Sequence, residues 1–245
     1  MRYAVISDIH SNLEALEAFL KKAASLGINE ILCLGDIVGY NANPNECCAL
    51  MRETNARCIM GNHDSRAIGL EDTFGFNRYA EEAVLWTARE LTAQNRDFLE
   101  KLPRSLIVEN KFLAVHGWVN DTDRYIIGES ATLRNFELMK QFTPPVKLCF
   151  FGHTHVPVVY VEGGEKTDGS AIGQLQLSGN DSSLINPGSI GQPRDSDPRA
   201  SFLVYDSKKS TVQFHRVEYD IKTAAEKVIA ANLPRRLAER LRLGW

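Results

Sequence analysis

Residues that bind transition metals follow five short apolar runs of this chain. Aspartate, asparagine and histidine supply the oxygen and nitrogen ligands that such ions prefer. The residues are Asp8, His10, Asp36, Asn62, His63, His116, His153 and His155. They include all but one of the chain's six histidines, the exception being His215. Histidines used only for packing would not sort in this way, so the set predicts a metal site.

The number and type of these side chains point to two ions. Two carboxylates, an amide and four or five imidazoles exceed the needs of one tetrahedral zinc ion, and the lack of cysteine among them excludes a structural zinc site. Mixed nitrogen and oxygen ligation favours Mn, Fe, Zn, Co or Ni over Ca or Mg. Asp36 is the candidate bridge. Two divalent ions, two aspartates and a hydroxide sum to about +1, which would attract a phosphoryl oxygen.

The apolar runs that precede these residues are typical of buried strands. They read RYAVIS, EILCLG, ARCIMG, KFLAVHG and KLCFFG. Helices are predicted between the first three, one with a capping box of Ser11 and Glu14 that ends at Gly27, and one with Asn43 at the cap. This alternation predicts an α/β sheet whose first strands are parallel. Because sites form outside the carboxyl ends of such strands, the ligand candidates can converge.

The remaining sequence predicts a helical insertion and a second sheet within one domain, residues 1–245. Residues 74–102 have apolar positions at helical spacing. After residue 146 come closely spaced strand candidates, which predict a second, mixed sheet packed on the first. Residues 162–173 are predicted as a flexible loop or the tip of a hairpin. These strand candidates are VPVVYV, GQLQLS, SLINPG, SFLVYD and TVQFHRV.

Charge and cysteine usage limit the classes of partner. A formal charge of −3 argues against a broad nucleic-acid footprint. The basic C-terminal stretch PRRLAERLRLGW is better explained as an amphipathic helix than as a nucleic-acid patch. Five cysteines without a CxxC pair indicate a reducing compartment, and no apolar stretch approaches the roughly 18 residues of a membrane span. We therefore expect a cytoplasmic protein, of oligomeric state left open.

The motifs DIH (8–10), GD (35–36), GNHD (61–64), HG (116–117) and GHTH (152–155), in this order, resemble the calcineurin-like metallophosphoesterases. The resemblance implies a four-layer αββα sandwich of two mixed sheets. It assigns one metal to Asp8, His10, Asp36 and His155, and the second to Asp36, Asn62, His116 and His153. His63 would not be a ligand but would stand over the scissile phosphate. The implied reaction is in-line attack on phosphorus by a metal-bridging hydroxide.

The GHTH motif allows two interpretations of its histidines. Alternate residues on a strand could chelate one ion, whereas the other strand ends favour His153 on one ion and His155 on the other. Gly152 is expected to let the chain turn out of the strand.

The sequence departs from the protein serine/threonine phosphatases of this family. Those enzymes carry GDxVDRG, where this chain reads GDIVGYN, with Gly39 and Tyr40 in place of the Asp and Arg. The partner carboxylate of His63 and a phosphate-gripping arginine are thus missing, which makes protein dephosphorylation a minor alternative. The other runs look most like the compact bacterial and archaeal branch. That branch includes phosphodiesterases and diadenosine tetraphosphate hydrolases, so a small substrate, a nucleotide among the options, is expected.

Three further residues are substrate-binding candidates, each with a structural alternative. Asn12 could face the crevice or cap a helix, Arg194 could hold a phosphate or pair with Asp195 or Asp197, and Arg66 is a similar case. Aromatic residues near the insertion could stack a nucleobase or only pack: Phe74, Phe76, Tyr79 and Trp86.

Two further functions are alternatives to the small-substrate phosphoesterase. A retromer subunit uses this fold as a non-catalytic scaffold, but it lacks the histidine that His63 supplies here. A nuclease would need an extended basic groove, and none is visible in the sequence.

Overall fold

The chain folds into two mixed β-sheets packed face to face, with helices on both outer faces. The computed structural model describes residues 1–171 and 173–245. The described strands are β1 (Arg2–Ile6), β2 (Glu30–Cys33), β3 (Arg57–Cys58), β4 (Ser105–Val108), β5 (Phe112–Val115), β6 (Leu148–Phe150), β7 (Val158–Val161), β8 (Thr167–Asp168), β9 (Gln174–Gln176), β10 (Ser183–Asn186), β11 (Ala200–Asp206) and β12 (Thr211–Val217). The predicted αββα sandwich is confirmed.

The described helices connect these strands or follow them. They are α1 (Leu13–Ala24), α2 (Pro44–Glu53), α3 (Asn62–Ala67), α4 (Arg78–Glu90), α5 (Ala93–Glu100), α6 (Glu129–Lys140), α7 (Ile221–Ala230) and α8 (Arg235–Leu243). A short 3-10 turn covers Gly169–Ala171. No helix in the described ranges is long and apolar enough to cross a membrane.

Each sheet combines three parallel strands with three strands in antiparallel pairing. The first has the order β3-β2-β1-β11-β12-β9, in which β1, β2 and β3 are parallel. The second has the order β4-β5-β6-β10-β7-β8, in which β5, β6 and β10 are parallel. The carboxyl ends of three parallel strands therefore lie together at one edge of each sheet.

Strands buried on both faces explain the continuous apolar runs of the sequence. In β1, Tyr3 and Val5 point into the layer between the sheets, where Tyr3 meets Phe112 edge to face at a centroid distance of 5.3 Å. The alternate residues Ala4 and Ile6 point outward and pack in the cluster beneath α1 and α2. On the far side, α6 covers the outer face of the second sheet.

The predicted division of strands between the sheets was wrong. We expected the strands after residue 146 to form the second sheet, but β9, β11 and β12 extend the first one. The reason is that β1 is central and needs a partner on its second edge, which β11 supplies with Arg2 opposite Asp206. Conversely, β5 and β6 belong to the second sheet, and β4, α3 and α6 were not predicted at all.

The start of α1 also differs from the prediction. Its N-cap is Asn12, whose Oδ1 accepts a hydrogen bond from the Ala15 backbone at 3.2 Å, and the helix ends at Ala24, before Gly27. Ser11 cannot cap because its φ of 56° belongs to the preceding loop. The predicted start of α2 is confirmed, with Asn43 at the N-cap and Pro44 in the first turn.

The other helix predictions fit the structure. Helices α4 and α5 lie inside residues 74–102, and α8 buries Leu237, Ala238 and Leu241 as an amphipathic helix should. In the predicted loop 162–173, β8 and the 3-10 turn are present, and residue 172 lies outside the described residues. That the chain forms one domain stays a prediction.

Candidate metal centre

The ligand candidates occupy the loops that leave the parallel strands. Asp8 and His10 follow β1, Asp36 follows β2, His116 follows β5, and the GHTH loop follows β6. Hydrogen bonds join these loops within the first sheet, where the Asp8 N–H donates to the Gly35 carbonyl at 3.0 Å. They also join the two sheets, where the His153 N–H donates to Asp8 Oδ2 at 3.1 Å. The two sheets thus contribute to one buried site.

Many of the candidates have a left-handed backbone conformation. Their φ values lie between 49 and 66°, a region that non-glycine residues seldom adopt. The residues are Asp8, His10, Asp36, His153 and His155. Such strain concentrates at functional sites, where the surroundings determine the conformation.

One group of ligand atoms consists of Asp8, His10 and His155, whose atoms lie within 4.8 Å of one another. The Nδ1 atoms of His10 and His155 donate to the carbonyls of Val38 and Gln192 at 3.1 and 2.5 Å. Burial lowers the pKa of both imidazoles, so each is neutral and carries its only hydrogen on Nδ1. The two Nε2 atoms therefore face each other as bare lone pairs at 3.2 Å.

These bare lone pairs need a positive charge, and a bound cation would supply it. Two facing lone pairs repel each other unless a positive charge lies between or beside them. Asp8 Oδ1 is buried without a hydrogen-bond partner among the described residues and lies 3.3 Å from His155 Nε2. Ligating histidines elsewhere donate the second ring N–H to a carbonyl in the same way. The residues present thus suit a transition metal.

A second group consists of Asp36, His116 and His153. His116 Nδ1 donates to the Leu34 carbonyl at 2.8 Å, which leaves Nε2 at 3.2 Å from Asp36 Oδ2 and 3.0 Å from Asn62 Oδ1. His153 is oriented the other way. Its Nε2 donates to the Asp123 carbonyl at 3.0 Å, which leaves Nδ1 free to bind a metal ion.

The charges of this second group also suit a cation. Burial alone would lower the pKa of His116, yet the carboxylates of Asp36 and Asp8 raise it to about 10. Burial likewise opposes ionisation of Asp36, but the positive charge and hydrogen bond of His116 hold the pKa of its carboxyl well below the usual range. Without a metal, a protonated His116 supplies the positive charge that Asp36 requires. Asp36 also lies 3.6 Å from His10 Nε2, so it borders both groups.

His63 lies directly beside the ligand candidates. A ring nitrogen of His63 and ligand atoms of His10 and Asp36 lie within 4.8 Å of one another. Its backbone N–H donates to Asp36 Oδ1 at 2.9 Å, and its ring lies between those of Tyr40 and Phe76, both at 4.5 Å. Burial lowers the pKa of His63 to about 4, although Asp36 opposes the shift. Geometry alone thus allows either a ligand or a residue that faces substrate.

Glycine is required at several contacts of this site. A Cβ atom on Gly39, whose φ is 98°, would lie 2.5 Å from His63 Nδ1. A Cβ on Gly191 would lie 1.8 Å from the Ile9 carbonyl oxygen. Gly152 serves the same purpose, because its Cβ would lie 2.0 Å from Ser7 Oγ. The left-handed residues of the turn that follows are His153 and His155.

The three substrate-binding candidates have different surroundings. Asn12 is buried, with its side-chain oxygen used in the helix cap and its nitrogen donating to Gly191 at 2.9 Å, so the capping alternative applies. Arg66 faces Asp123 with two hydrogen bonds, at 2.9 and 3.2 Å, and also pairs with Glu71. Its charge is therefore already neutralised.

Arg194 has the surroundings expected of a substrate contact. The proposed partners Asp195 and Asp197 pair instead with Arg216 and Arg199. Arg194 turns inward, with Nη2 at 3.3 Å from the Tyr40 hydroxyl, and its buried Nε has no hydrogen-bond partner among the described residues.

Two adjoining cavities give access to the site. The smaller, about 60 Å³, is lined by Asp36, His63, His153, His155 and Arg194, among others. The larger, about 590 Å³, shares with it Asn62, Gly75, Phe76, Tyr125 and His153. Phe74 borders only the larger one, whereas Tyr79 and Trp86 border neither, and Trp86 packs near the C-terminal helices.

Sequence reasoning missed three residues that shape the site. Tyr40 contacts the rings of His10 and His63 and could have been found, since it marks the departure in GDIVGYN. Asp64 accepts hydrogen bonds from the Val38 and Gly61 backbones, both at 3.0 Å. Tyr125 stacks on His153 at 4.1 Å, but it lies in a loop without any motif.

Comparisons with known proteins agree with this geometry. Residues 1–210 match the family model described as the calcineurin-like phosphoesterase superfamily domain. The uncharacterized protein MJ0912 of Methanocaldococcus jannaschii is 42% identical over 98% of this chain and 97% of its own length. The crystal structure of a metallophosphoesterase from Sphaerobacter thermophilus is 38% identical with a TM-score of 0.88, covering 100% of this chain and 99% of that one.

A more distant structure shows the same fold. The hypothetical protein PH1004 from Pyrococcus horikoshii OT3 is 21% identical with a TM-score of 0.80, covering 100% of this chain and 98% of that one.

Proposed function

This chain belongs to the calcineurin-like phosphoesterase superfamily, and on that premise we propose that it hydrolyses a small phosphoester with the help of two transition metal ions. A phosphodiester or a dinucleoside polyphosphate is the favoured substrate. The observation that carries the proposal is the convergence of aspartate and histidine side chains from both sheets beside a cavity that also contains Arg194.

The proposed ligand sets follow the two groups of side chains. Asp8, His10, Asp36 and His155 would hold one ion, and Asp36, Asn62, His116 and His153 the other, with Asp36 between them. The ions are Mn, Fe, Zn, Co or Ni, which suit mixed ligation. Two such ions, when bound, acidify water to supply the nucleophile and provide positive charge for the phosphoryl oxygens.

His63 is the proposed proton donor. Its Nδ1 lies against Gly39 with no hydrogen-bond partner among the described residues, so Nε2 is the nitrogen that can reach a ligand in the cavity. The hydrogen bond that the His63 backbone N–H donates to the Asp36 carboxylate fixes the start of α3 and with it the position of the imidazole ring. In this position the imidazole can stabilise charge on phosphorus and pass a proton to the leaving oxygen.

Arg194 is proposed to take the place of the missing phosphate-gripping arginine. It comes from a different loop but lies against Tyr40, which occupies the position of that arginine in the sequence. Its unpaired Nε and the guanidinium charge suit an anionic oxygen, and charge-assisted bonds of this kind are the strong ones.

The test is a panel of substrates given to the Mn²⁺-loaded protein beside the His63→Ala variant. The panel contains a phosphomonoester, a phosphodiester, diadenosine tetraphosphate and a phosphoserine peptide. We expect hydrolysis of the diester or the dinucleotide, and a loss of about 100-fold or more in the variant. Hydrolysis of the peptide alone would favour a protein phosphatase, and turnover of none of them would favour a scaffold.

A further inference from the structure

The larger cavity carries an inference about the leaving group, which rests on the proposed function. We infer that this cavity of about 590 Å³ binds a nucleoside as the leaving group, that is, an uncharged alcohol that carries an aromatic base. Phe74 would stack on the base, and Asp72 would accept hydrogen bonds from the nucleoside. Its volume lies in the range of sites for small molecules, roughly 300–1,000 Å³. Because it adjoins the smaller cavity at His153, a group attached to phosphorus can extend into it.

Aromatic rings form much of the wall, and one of them, Phe74, is largely exposed to solvent. Phe74 is 88% exposed, which is unusual for a phenylalanine and leaves its face free. Tyr125 stacks on His153, one of the candidate metal ligands, and is 46% exposed. Because it lines both cavities, it lies at their boundary. Stacking on such rings favours a flat, aromatic group and tolerates different bases.

The charges of the wall argue against a second phosphate in this cavity. Three carboxylates border it, those of Glu71, Asp72 and Asp123, against the single guanidinium of Arg66. Arg66 is paired with Asp123 and Glu71 and lies over the Phe76 ring at 4.5 Å, so it braces the wall and is not available to an anion. Arg104 pairs with Glu71 from outside the wall, so the charge left uncompensated among the described residues is that of Asp72, and a polyphosphate chain entering here would meet it.

Asp72 gives the cavity wall a carboxylate that can accept hydrogen bonds from a bound group. It has no ion pair among the described residues, and its Oδ1 accepts only the backbone N–H of Phe74, at 2.9 Å. The other carboxylate oxygen can accept from a sugar hydroxyl or a base amino group next to the Phe74 ring. The same hydrogen bond fixes the turn that presents Phe74.

The substrate class that follows is a phosphoester of a single phosphate with a nucleoside. On hydrolysis the bond between phosphorus and the nucleoside oxygen breaks, a bond to the water oxygen forms, and the nucleoside leaves with a proton as a neutral alcohol. Diadenosine tetraphosphate, whose leaving group is itself a phosphate chain, fits the cavity poorly. Of the two favoured substrates, the phosphodiester therefore fits the cavity better than the dinucleoside polyphosphate.

The test compares two matched substrates, the methyl esters of adenosine 5′-phosphate and of ribose 5-phosphate, which differ only in the base. We expect wild type to favour the base-bearing ester by about tenfold or more in kcat/KM. Phe74→Ala should lower that ratio about tenfold, equivalent to about 1.4 kcal/mol. Tyr79→Ala, an exposed aromatic on α4 outside both cavities, is the control and should leave the ratio unchanged.

The negative charge of the cavity wall is tested by a second variant. Asp72→Lys should raise kcat/KM for diadenosine tetraphosphate several-fold relative to the ribose ester. Equal rates of wild type on the two methyl esters, or an equal loss on both in Phe74→Ala, would overturn the inference while leaving the proposed function intact.

If wild type cleaves neither ester and no substrate of the panel, the proposed function fails, and equilibrium binding of adenosine 5′-monophosphate to wild type and Phe74→Ala decides the inference. Binding weakened by the substitution would sustain the cavity as a nucleoside site, and binding unaffected by it would refute that assignment.

Discussion

At the scale of single residues, the site depends on histidines that already have one ring nitrogen held by a hydrogen bond to the backbone. Three histidines each donate one ring N–H to a carbonyl, which aims the other nitrogen inward: His10, His116 and His155. This preorganisation means that little rearrangement is needed when a cation binds.

Arg194→Ala tests the proposed phosphate contact. Because the substitution removes a charged donor from the cavity, we expect kcat/KM to fall about 10–100-fold, the scale of a lost hydrogen bond to a charged group. Steady-state kinetics on the best panel substrate measures this. Arg199→Ala is the matched control, since Arg199 pairs with Asp197 on the surface, and an equal loss there would contradict the assignment.

Gly39→Ala tests the packing behind His63. The new methyl group would collide with the imidazole, and alanine at a φ of 98° is strained, so the ring must move. We expect turnover to fall about tenfold or more, with the binding of Mn²⁺ retained. Kinetics and metal titration by calorimetry distinguish the two effects, and a variant of unchanged activity would show that the ring position is unimportant.

At the scale of elements, sequence patterns predicted the central strands and their loops better than they predicted the sheets. Runs such as RYAVIS identify a strand buried on both faces, and the ligand that follows it identifies the functional edge. The same run does not reveal which strand pairs with each edge, because pairing depends on backbone hydrogen bonds that all residues share. Short edge strands such as β4, with two exposed residues, have too weak a pattern to be found.

The strand β12 contains a histidine that makes stability depend on pH. Burial lowers the pKa of His215, which stacks on Phe202 at 4.9 Å and lies outside the metal centre. The unfolded chain therefore takes up this proton first, near pH 6.5. The stabilising contribution is complete above that pH and is lost as the pH falls below it, until the folded protein is protonated too.

We expect His215→Leu to flatten this dependence. The difference in unfolding free energy between wild type and variant should change between pH 7 and 5, by no more than about 1.4 kcal/mol per pH unit. Urea unfolding at a series of pH values measures it. A constant difference over this range would show that His215 does not titrate differently in the two states.

At the scale of the whole molecule, the proposed ions would join the two sheets. Asp8 and Asp36 come from the first sheet, whereas His116 and His153 come from the second. Any ion bound by both groups therefore favours the packed sandwich over the unfolded chain, which has no such site.

Metal binding should raise the thermal stability of the protein. Mn²⁺ at about 100 times its dissociation constant contributes about 2.7 kcal/mol, or a rise in Tm of about 5–10 °C for a chain of this size. Asp36→Asn should lose most of the rise, and His63→Ala should keep it. Differential scanning fluorimetry with and without a chelator measures the shift, and an equal loss in both variants would place His63 among the ligands.

The close contacts at Gly39, Gly152 and Gly191 bear on how this protein can evolve. Connecting loops ordinarily accept insertions and substitutions more readily than the elements that they join. Here the loops are filled to atomic contact, and even one added methyl group at Gly191 would overlap a carbonyl oxygen. A map of mutational tolerance should therefore be inverted, with the helix surfaces free to drift and the loops at the carboxyl edge of the sheets nearly invariant.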